Sequence, residues 1–338
     1  MTKGPERPAY AIPVLRAADF TVINGANLGD SISFAHELDL DDTYDLRVGA
    51  RLHRMSLAPG GGNALTIMDG SRLGTPGATV HLDSCLTMMS ANGQTSEILI
   101  LVEVDAAGDV AQVYAHPLAQ LKPRTGYSLV GIDTVNARQK FAEVACVSFS
   151  KGTHITMASG AQTAIEDLKI GDRVLTRDDG PQPVRWIGQS TVRAVGEFSP
   201  IRIRAGAMNN TGDLLVSPDH RLFVYQRSDA LGAGRSEVLI RARHLVNGDT
   251  VVQEDGGFVE YYQLLFDTHQ IIYAEGIAAE TLLVDPRTRA VLPQDLNDEL
   301  ARALPLGGHG NRAHLEFEVN EADIQPDMAR LLKDASTR

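Results

Sequence analysis

Ser148-Phe149-Ser150-Lys151-Gly152-Thr153-His154-Ile155 is the stretch on which the reading of the fold turns. It places a hydroxyl before an apolar residue, then two further positions, Gly-Thr, and an apolar strand residue one place further on. Working outward, a second string, Leu214-Leu215-Val216-Ser217-Pro218-Asp219-His220-Arg221-Leu222, sets a hydroxyl three residues before a histidine. A third, Leu264 to Gly276, runs through Asp267 and His269 and ends in Ala274-Glu275-Gly276. Between them lies a faint internal repeat: Leu168-Lys169-Ile170-Gly171-Asp172-Arg173-Val174 returns as Leu245-Val246-Asn247-Gly248-Asp249-Thr250-Val251. Each copy reads as a loop, a Gly-Asp turn and an entering strand, so the pair suggests a duplicated β-hairpin unit with approximate two-fold symmetry.

In order and spacing, the three strings resemble the conserved blocks of Hint (Hedgehog/intein) domains. Gly180-Pro181-Gln182-Pro183-Val184-Arg185-Trp186-Ile187-Gly188 is similar to the bacterial subfamily written Hint_2. The resemblance covers about two fifths of the chain and rests on joint order, since each block alone is weakly specific. It implies an all-β, horseshoe-shaped, pseudo-two-fold domain that processes its own chain, a self-processing event and not a turnover reaction. A backbone amide is a poor electrophile, so this chemistry needs a positioned nucleophile and a proton donor for the departing nitrogen. Carried onto these positions, the resemblance makes Ser148 the attacking group and Val147-Ser148 the scissile bond. His220 then polarises and protonates the amide nitrogen, Ser217 bonds to the same peptide and helps to hold it off its relaxed geometry, and Asp267 or His269 assists the second step. The substrate is the chain itself, and the acyl acceptor is water or a small or protein nucleophile.

Two departures stand out. Hint domains usually carry Cys where Ser148 stands, and a thiol ionises near pH ~8.5 whereas a hydroxyl ionises far above it. Three readings stay open: a natural Ser-type domain, a substitution that traps the uncleaved precursor, or a shifted register in which Cys146 attacks. The resemblance also leads one to look for a closing His-Asn, as in splicing inteins, but the corresponding stretch is Gly276-Ile277-Ala278-Ala279-Glu280-Thr281. Splicing is therefore not expected, and one cleavage at the N-terminal edge is. The rival functions are a catalytically silent Hint-fold binding or structural protein and a thiol hydrolase acting on other molecules through Cys146 and His220.

Upstream, residues 17 to 135 carry short β-type runs separated by turn signals. The clearest is a hairpin formed by Ser96 to Val104, Ala107-Gly108-Asp109 and Val110 to Tyr114. Further strands are expected at Phe20 to Ile23, Tyr44 to Val48, Ala64 to Met68 and Thr79 to Leu82, giving a sandwich or barrel-like domain over residues 1–143. Leu57 to Asn63 lacks the Lys-Ser/Thr of a phosphate loop and reads as a plain loop. Polar Asn136 to Glu143 is a candidate linker, residues 144–285 are the Hint domain, and residues 286–338 a helical extension with apolar spacing at Asp295 to Leu304 and Pro326 to Lys333. That extension is too polar to suggest a lipid acceptor.

The 338 residues suit two ordinary domains. A composition 43% hydrophobic and 22% charged is that of a globular protein. A net charge of -12 disfavours nucleic acid, whose binding depends on clustered Lys and Arg. No stretch approaches a membrane span, and the first residues lack a signal-peptide core, so a cytoplasmic protein or one exported by a non-Sec route is expected. Two cysteines make no disulfide framework, and Cys85 reads as a small buried apolar residue. The ten histidines show no zinc-ligand spacing; neither metal nor cofactor is expected, and His154, His244 and Trp186 read as structural.

Overall fold

The computed structural model describes residues 10–61, 64–225, 227, 237–284, 288–293, 296 and 327–337. The chain divides into two compact units, Met1–Phe141 and Ala142–Arg338. Both are mainly β, and among the described residues no helix is long and apolar enough to cross a membrane.

The first unit is one nine-stranded antiparallel sheet, built from β1 (Tyr10–Arg16), β2 (Phe20–Asn24), β3 (Thr43–Leu46), β4 (His53–Pro59), β5 (Leu65–Ile67), β6 (Thr79–Ser90), β7 (Thr95–Val104), β8 (Val110–Pro117) and β9 (Tyr127–Asp133). Strand order runs β2-β3-β9-β6-β5-β4-β1-β8-β7, and β7 pairs back onto β6. Six strands therefore close into a barrel, which removes their free edges, while β9, β3 and β2 extend the sheet from β6. Of the expected sandwich or barrel, the barrel-like form is present. Its central strand β7 is apolar on both faces: Ile98 and Ile100 join a core with Phe20, Tyr44, Leu86 and Met88, and Leu99 and Leu101 between them are fully buried as well. The expected β7–β8 hairpin turns at Asp105–Asp109, with Gly108 at φ 90°.

Three of this unit's strands were not anticipated. β1 was obscured by Pro13, since proline removes a ladder donor and argues against a strand. Here β1 pairs with β8 only at Leu15 and Arg16, and the Pro13 carbonyl is met by Nδ1 of buried His116 at 2.7 Å. β4 takes in Leu57 to Pro59, so the supposed loop begins as a strand; Gly62 and Asn63 lie outside the described residues. β9 is the third. Cys85 is buried on β6, and burial pushes its thiol up to about 12. The polar segment expected as a linker contains the division between the two units, after Phe141, and is folded as a helix, α1 (Ala137–Ala145); the Asp133 carboxylate takes the N–H groups of Val135 and Asn136 just before its first turn.

The second unit contains β10 (Phe149–Ser150), β11 (His154–Thr156), β12 (Gln162–Ala164), β13 (Arg173–Leu175), β14 (Pro181–Pro183), β15 (Trp186–Arg193), β16 (Ile201–Ile203), β17 (Leu214–Val216), β18 (Arg221–Tyr225), β19 (Glu237–Arg241), β20 (Val251–Gln253), β21 (Phe258–Leu265), β22 (Ile271–Ala274) and β23 (Ile277–Glu280). One six-stranded sheet is ordered β15-β21-β10-β17-β16-β20, the other β12-β11-β22-β23-β18-β19, and β13 pairs with β14. Reading each order from its middle exposes the duplication: β10 matches β17, β11 matches β18 and β12 matches β19. The Gly-Asp repeats occupy corresponding places, each after a 3-10 turn (Ile165–Asp167 and Ala242–Leu245), with Gly171 at φ 93° and Gly248 at φ 76°. Leu168, Val174, Leu245 and Val251 all enter one apolar core.

β22 and β23 are joined by Glu275-Gly276, whose φ values of 49° and 83° give the twist that a tight hairpin demands. Glutamate is unusual there. Its buried carboxylate receives the His154 backbone N–H at 2.7 Å and meets His154 Nδ1 at 2.9 Å, which offsets the strain and gives His154 its structural part.

Beyond β23, helix α2 (Met328–Thr337) sends Met328, Ala329 and Leu332 into the same core. The helix expected at Asp295 to Leu304 and the loop Leu306 to Asn311 lie outside the described residues, apart from Leu296.

Candidate functional site

Ser148 immediately precedes β10, a strand of two residues held between β17 and β21: Phe149 pairs with Val216 on one side and Tyr262 on the other. That central place is why Cys146, Val147, Ser148 and Phe149 are all buried. Ser217, at the end of β17, grips the residue twice. Its backbone N–H donates to the Ser148 carbonyl at 2.9 Å, and its Oγ accepts the Ser148 N–H at 3.0 Å. The same hydroxyl donates to the Cys146 carbonyl at 3.3 Å, so it spans the Val147 residue from one peptide to the next.

Ser217-Pro218-Asp219-His220 is a turn closed by the His220 N–H on the Ser217 carbonyl at 3.0 Å, with Pro in the position that favours it. The turn returns the His220 ring to residue 148. Nδ1 lies 3.0 Å from the Ser148 carbonyl and Nε2 lies 3.0 Å from the Glu280 carbonyl, while Phe149 stacks edgewise on the ring at 4.4 Å between centroids. A neutral imidazole has one N–H, so it can serve only one of these two acceptors. Burial nevertheless pushes the ring's pKa below the ordinary histidine value, against the two carbonyls and the Glu280 charge that favour protonation.

Below this ring lies a buried ionic cluster. Glu280 receives Nε and Nη2 of Arg221 at 2.6 and 2.5 Å, and His269 Nε2 lies 3.4 Å from its Oε2. Burial alone would raise the carboxyl pKa, but Arg221 and His269 together bring it down to about 2.

Of the expected residues, Ser148, Ser217 and His220 come together around one residue. His269 reaches that group only through Glu280. Asp267 does not join: it is 64% exposed and pairs with Arg185 Nε at 2.9 Å. Residues 266–270 form a bent loop between β21 and β22 that turns Asp267 outward and His269 inward. Cys146 is buried with Leu265, Leu282, Val284 and Leu292, and partly buried Trp186 packs against that cluster. Among the described residues no group of three His, Cys, Asp or Glu side chains could hold a metal ion.

Two features escaped the sequence. Gln263 on β21 donates from Nε2 to Ser148 Oγ at 2.8 Å, the contact on the hydroxyl itself. Its signal was an amide inside the apolar run Tyr261-Tyr262-Gln263-Leu264-Leu265, facing Gly188 across the sheet. Glu280 was noted only as the residue standing where a terminal Asn was absent; its partner Arg221, next to His220, was the available clue.

Residues 147–286 match the Hint_2 family, described as a Hint domain. The chain is 34% identical over 89 residues to the catalytic subunit of the V-type proton ATPase of Candida tropicalis, a match covering 26% of this chain and spanning only 8% of that relative's length. Among solved structures it is similar to the Ssp DnaB mini-intein variant M86 (11% identity, 41% of this chain and 96% of that one, TM-score 0.28). It is also similar to the bacterial intein-like domain from Clostridium thermocellum (17% identity, 40% and 97%, TM-score 0.27). A third, the gp41-1 intein, shows 12% identity over 39% of this chain and 97% of that one, with a TM-score of 0.25.

Proposed function

On the premise that residues 147–286 are a Hint domain, we propose that this chain cuts itself once, at the Val147–Ser148 peptide bond, and thereby releases or transfers the part upstream of it. Ser148 Oγ attacks the Val147 carbonyl carbon, the carbon–nitrogen bond breaks, and the proton leaving Oγ ends on the Ser148 nitrogen. The product is an ester between Val147 and the Ser148 side chain. Water or another nucleophile then attacks that ester, and the upstream piece leaves with a carboxyl or a new acyl bond.

The observation that carries this reading is Ser217 Oγ, which accepts the N–H of the very amide to be broken and donates to the carbonyl one peptide before it. A hydroxyl so placed restrains the peptide and lies where the departing nitrogen needs a proton. His220 sits on the carbonyl of residue 148, one peptide downstream of its expected contact, and holds the strand just after the bond to be broken. His269 braces Glu280 beneath it, and exposed Asp267 receives no step. The burial of Cys146 among aliphatic side chains speaks against a thiol hydrolase acting on other molecules.

The test is to incubate the purified full chain with and without hydroxylamine or a thiol and weigh the products, with Ser148→Ala as control. A fragment ending at Val147, absent from the control, is expected. A chain intact under every condition would overturn self-cleavage and leave a silent Hint-fold binding protein.

A further inference from the structure

We infer that Gln263 is a catalytic residue of this site and that it fits the site to an oxygen nucleophile, making serine the residue for which position 148 is built. The inference rests on the cleavage reading above.

Gln263 is buried, and its Nε2 stands 2.8 Å from Ser148 Oγ, an ordinary length for an N–H donor on oxygen. Its orientation is imposed from behind. β21 pairs with β15 so that Gln263 opposes Gly188. A Cβ at Gly188 would lie 2.4 Å from Gln263 Oε1 and 2.3 Å from the Trp186 ring. Only a glycine leaves room for the carboxamide oxygen there, and with the oxygen seated over Gly188 the amide nitrogen is turned toward Ser148.

A carboxamide neither takes nor gives a proton near neutral pH, so Gln263 is no base. What it offers is a fixed donor to Oγ as that atom loses its proton and moves onto the Val147 carbon. Hydrogen bonds to ionised oxygen are about twice as strong as neutral ones. The contact is therefore worth more in the transition state than with the resting hydroxyl, which is the condition for accelerating a step. Serine needs this help because a hydroxyl ionises far less readily than a thiol. Sulfur accepts hydrogen bonds weakly, so the same donor does little for cysteine. The step remains an isomerisation: the Oγ–C bond forms, the C–N bond breaks, and one proton passes from Oγ to nitrogen.

The experiment compares full-length wild type, Gln263→Met, Ser148→Cys and the double variant, following hydroxylamine-dependent appearance of the fragment ending at Val147 by mass spectrometry. Gln263→Met is expected to slow the serine protein by about 10- to 100-fold, the scale of a lost hydrogen bond to a charged group. In the Ser148→Cys background the same change is expected to cost less than about 3-fold, and normal cleavage there shows that the fold survives. Equal losses in both backgrounds, or none with serine, would overturn the inference while leaving self-cleavage standing. Failure of every variant to yield that fragment would overturn self-cleavage and the role of Gln263 with it.

Discussion

At His220, two backbone carbonyls face the two ring nitrogens of a fully buried imidazole. Protonation would satisfy both, yet the cost of burying a charge outweighs that gain, and the ring's folded pKa lies below its unfolded value. A histidine depressed in this way binds fewer protons folded than unfolded, so its contribution to stability is complete above about pH 6.5 and is lost as pH falls toward the folded pKa. Glu280 adds a second window, from its unfolded value near ~4.3 down to about 2. Trp186 is the sole tryptophan and lies in the second unit, so its fluorescence isolates that unit. The urea midpoint read from Trp186 is expected to fall between pH 7 and 5, and His220→Gln to flatten that window alone. A midpoint independent of pH in the wild type would refute the buried, neutral ring. Ser217→Ala leaves the Ser148 N–H and the Cys146 carbonyl without their shared partner. Cleavage is expected to slow at least 10-fold, with a stability loss of about 1–3 kcal/mol for a buried group left unbonded, as read by product mass and by denaturation.

Among the elements, the pairing of β15 with β21 carries more of the site than any one motif does. Gly188→Ala changes none of Val147, Ser148, Ser217 or His220 but drives a methyl into the Gln263 carboxamide and the Trp186 ring. Slower cleavage of the serine protein and a changed Trp186 emission are expected together; cleavage at the wild-type rate would mean that the carboxamide needs no such seat. β18 and β23 hold the other half, because Arg221 faces Glu280 across them. Arg221→Leu strips the strongest partner from a buried carboxylate and is expected to cost about 3–5 kcal/mol, measured as a lowered denaturation midpoint. These placements also explain what the sequence could show. Ser148, Ser217 and His220 were legible because each lies in a short local pattern, and the Gly-Asp repeat was legible because it recurs. Gln263 was not, since its reach to Ser148 depends on a cross-strand register linking residues 115 apart. The outward turn of Asp267 was not legible either, because it follows from where β21 stops, at Leu265, and the chain bends.

Across the whole molecule, legibility followed the same division. The duplicated order of the second unit could be suspected from a seven-residue repeat, whereas for the first unit the sequence offered a sandwich or a barrel without choosing, because closure needs the twelve residues of β6 to serve β5, β7 and β9 at once. Each of the two main cores draws its residues from one unit: Phe20, Tyr44, Leu86 and Ile98 in the first, Phe149, Val216, Ile272 and Leu332 in the second. A piece released by the proposed cut must keep its fold, and a closed barrel with its own apolar filling meets that requirement. Residues 1–141 expressed alone are therefore expected to give a β-type circular dichroism spectrum and a single cooperative unfolding transition. The second unit, in contrast, needs its C-terminal helix, since Met328, Ala329 and Leu332 fill the core that also holds Phe149 beside the proposed cleavage site. Ending the chain before Met328 is expected to lower the Trp186 midpoint and abolish cleavage while leaving the transition of residues 1–141 where it was. A non-cooperative melt of the isolated first unit, or full cleavage without α2, would contradict this division of the chain.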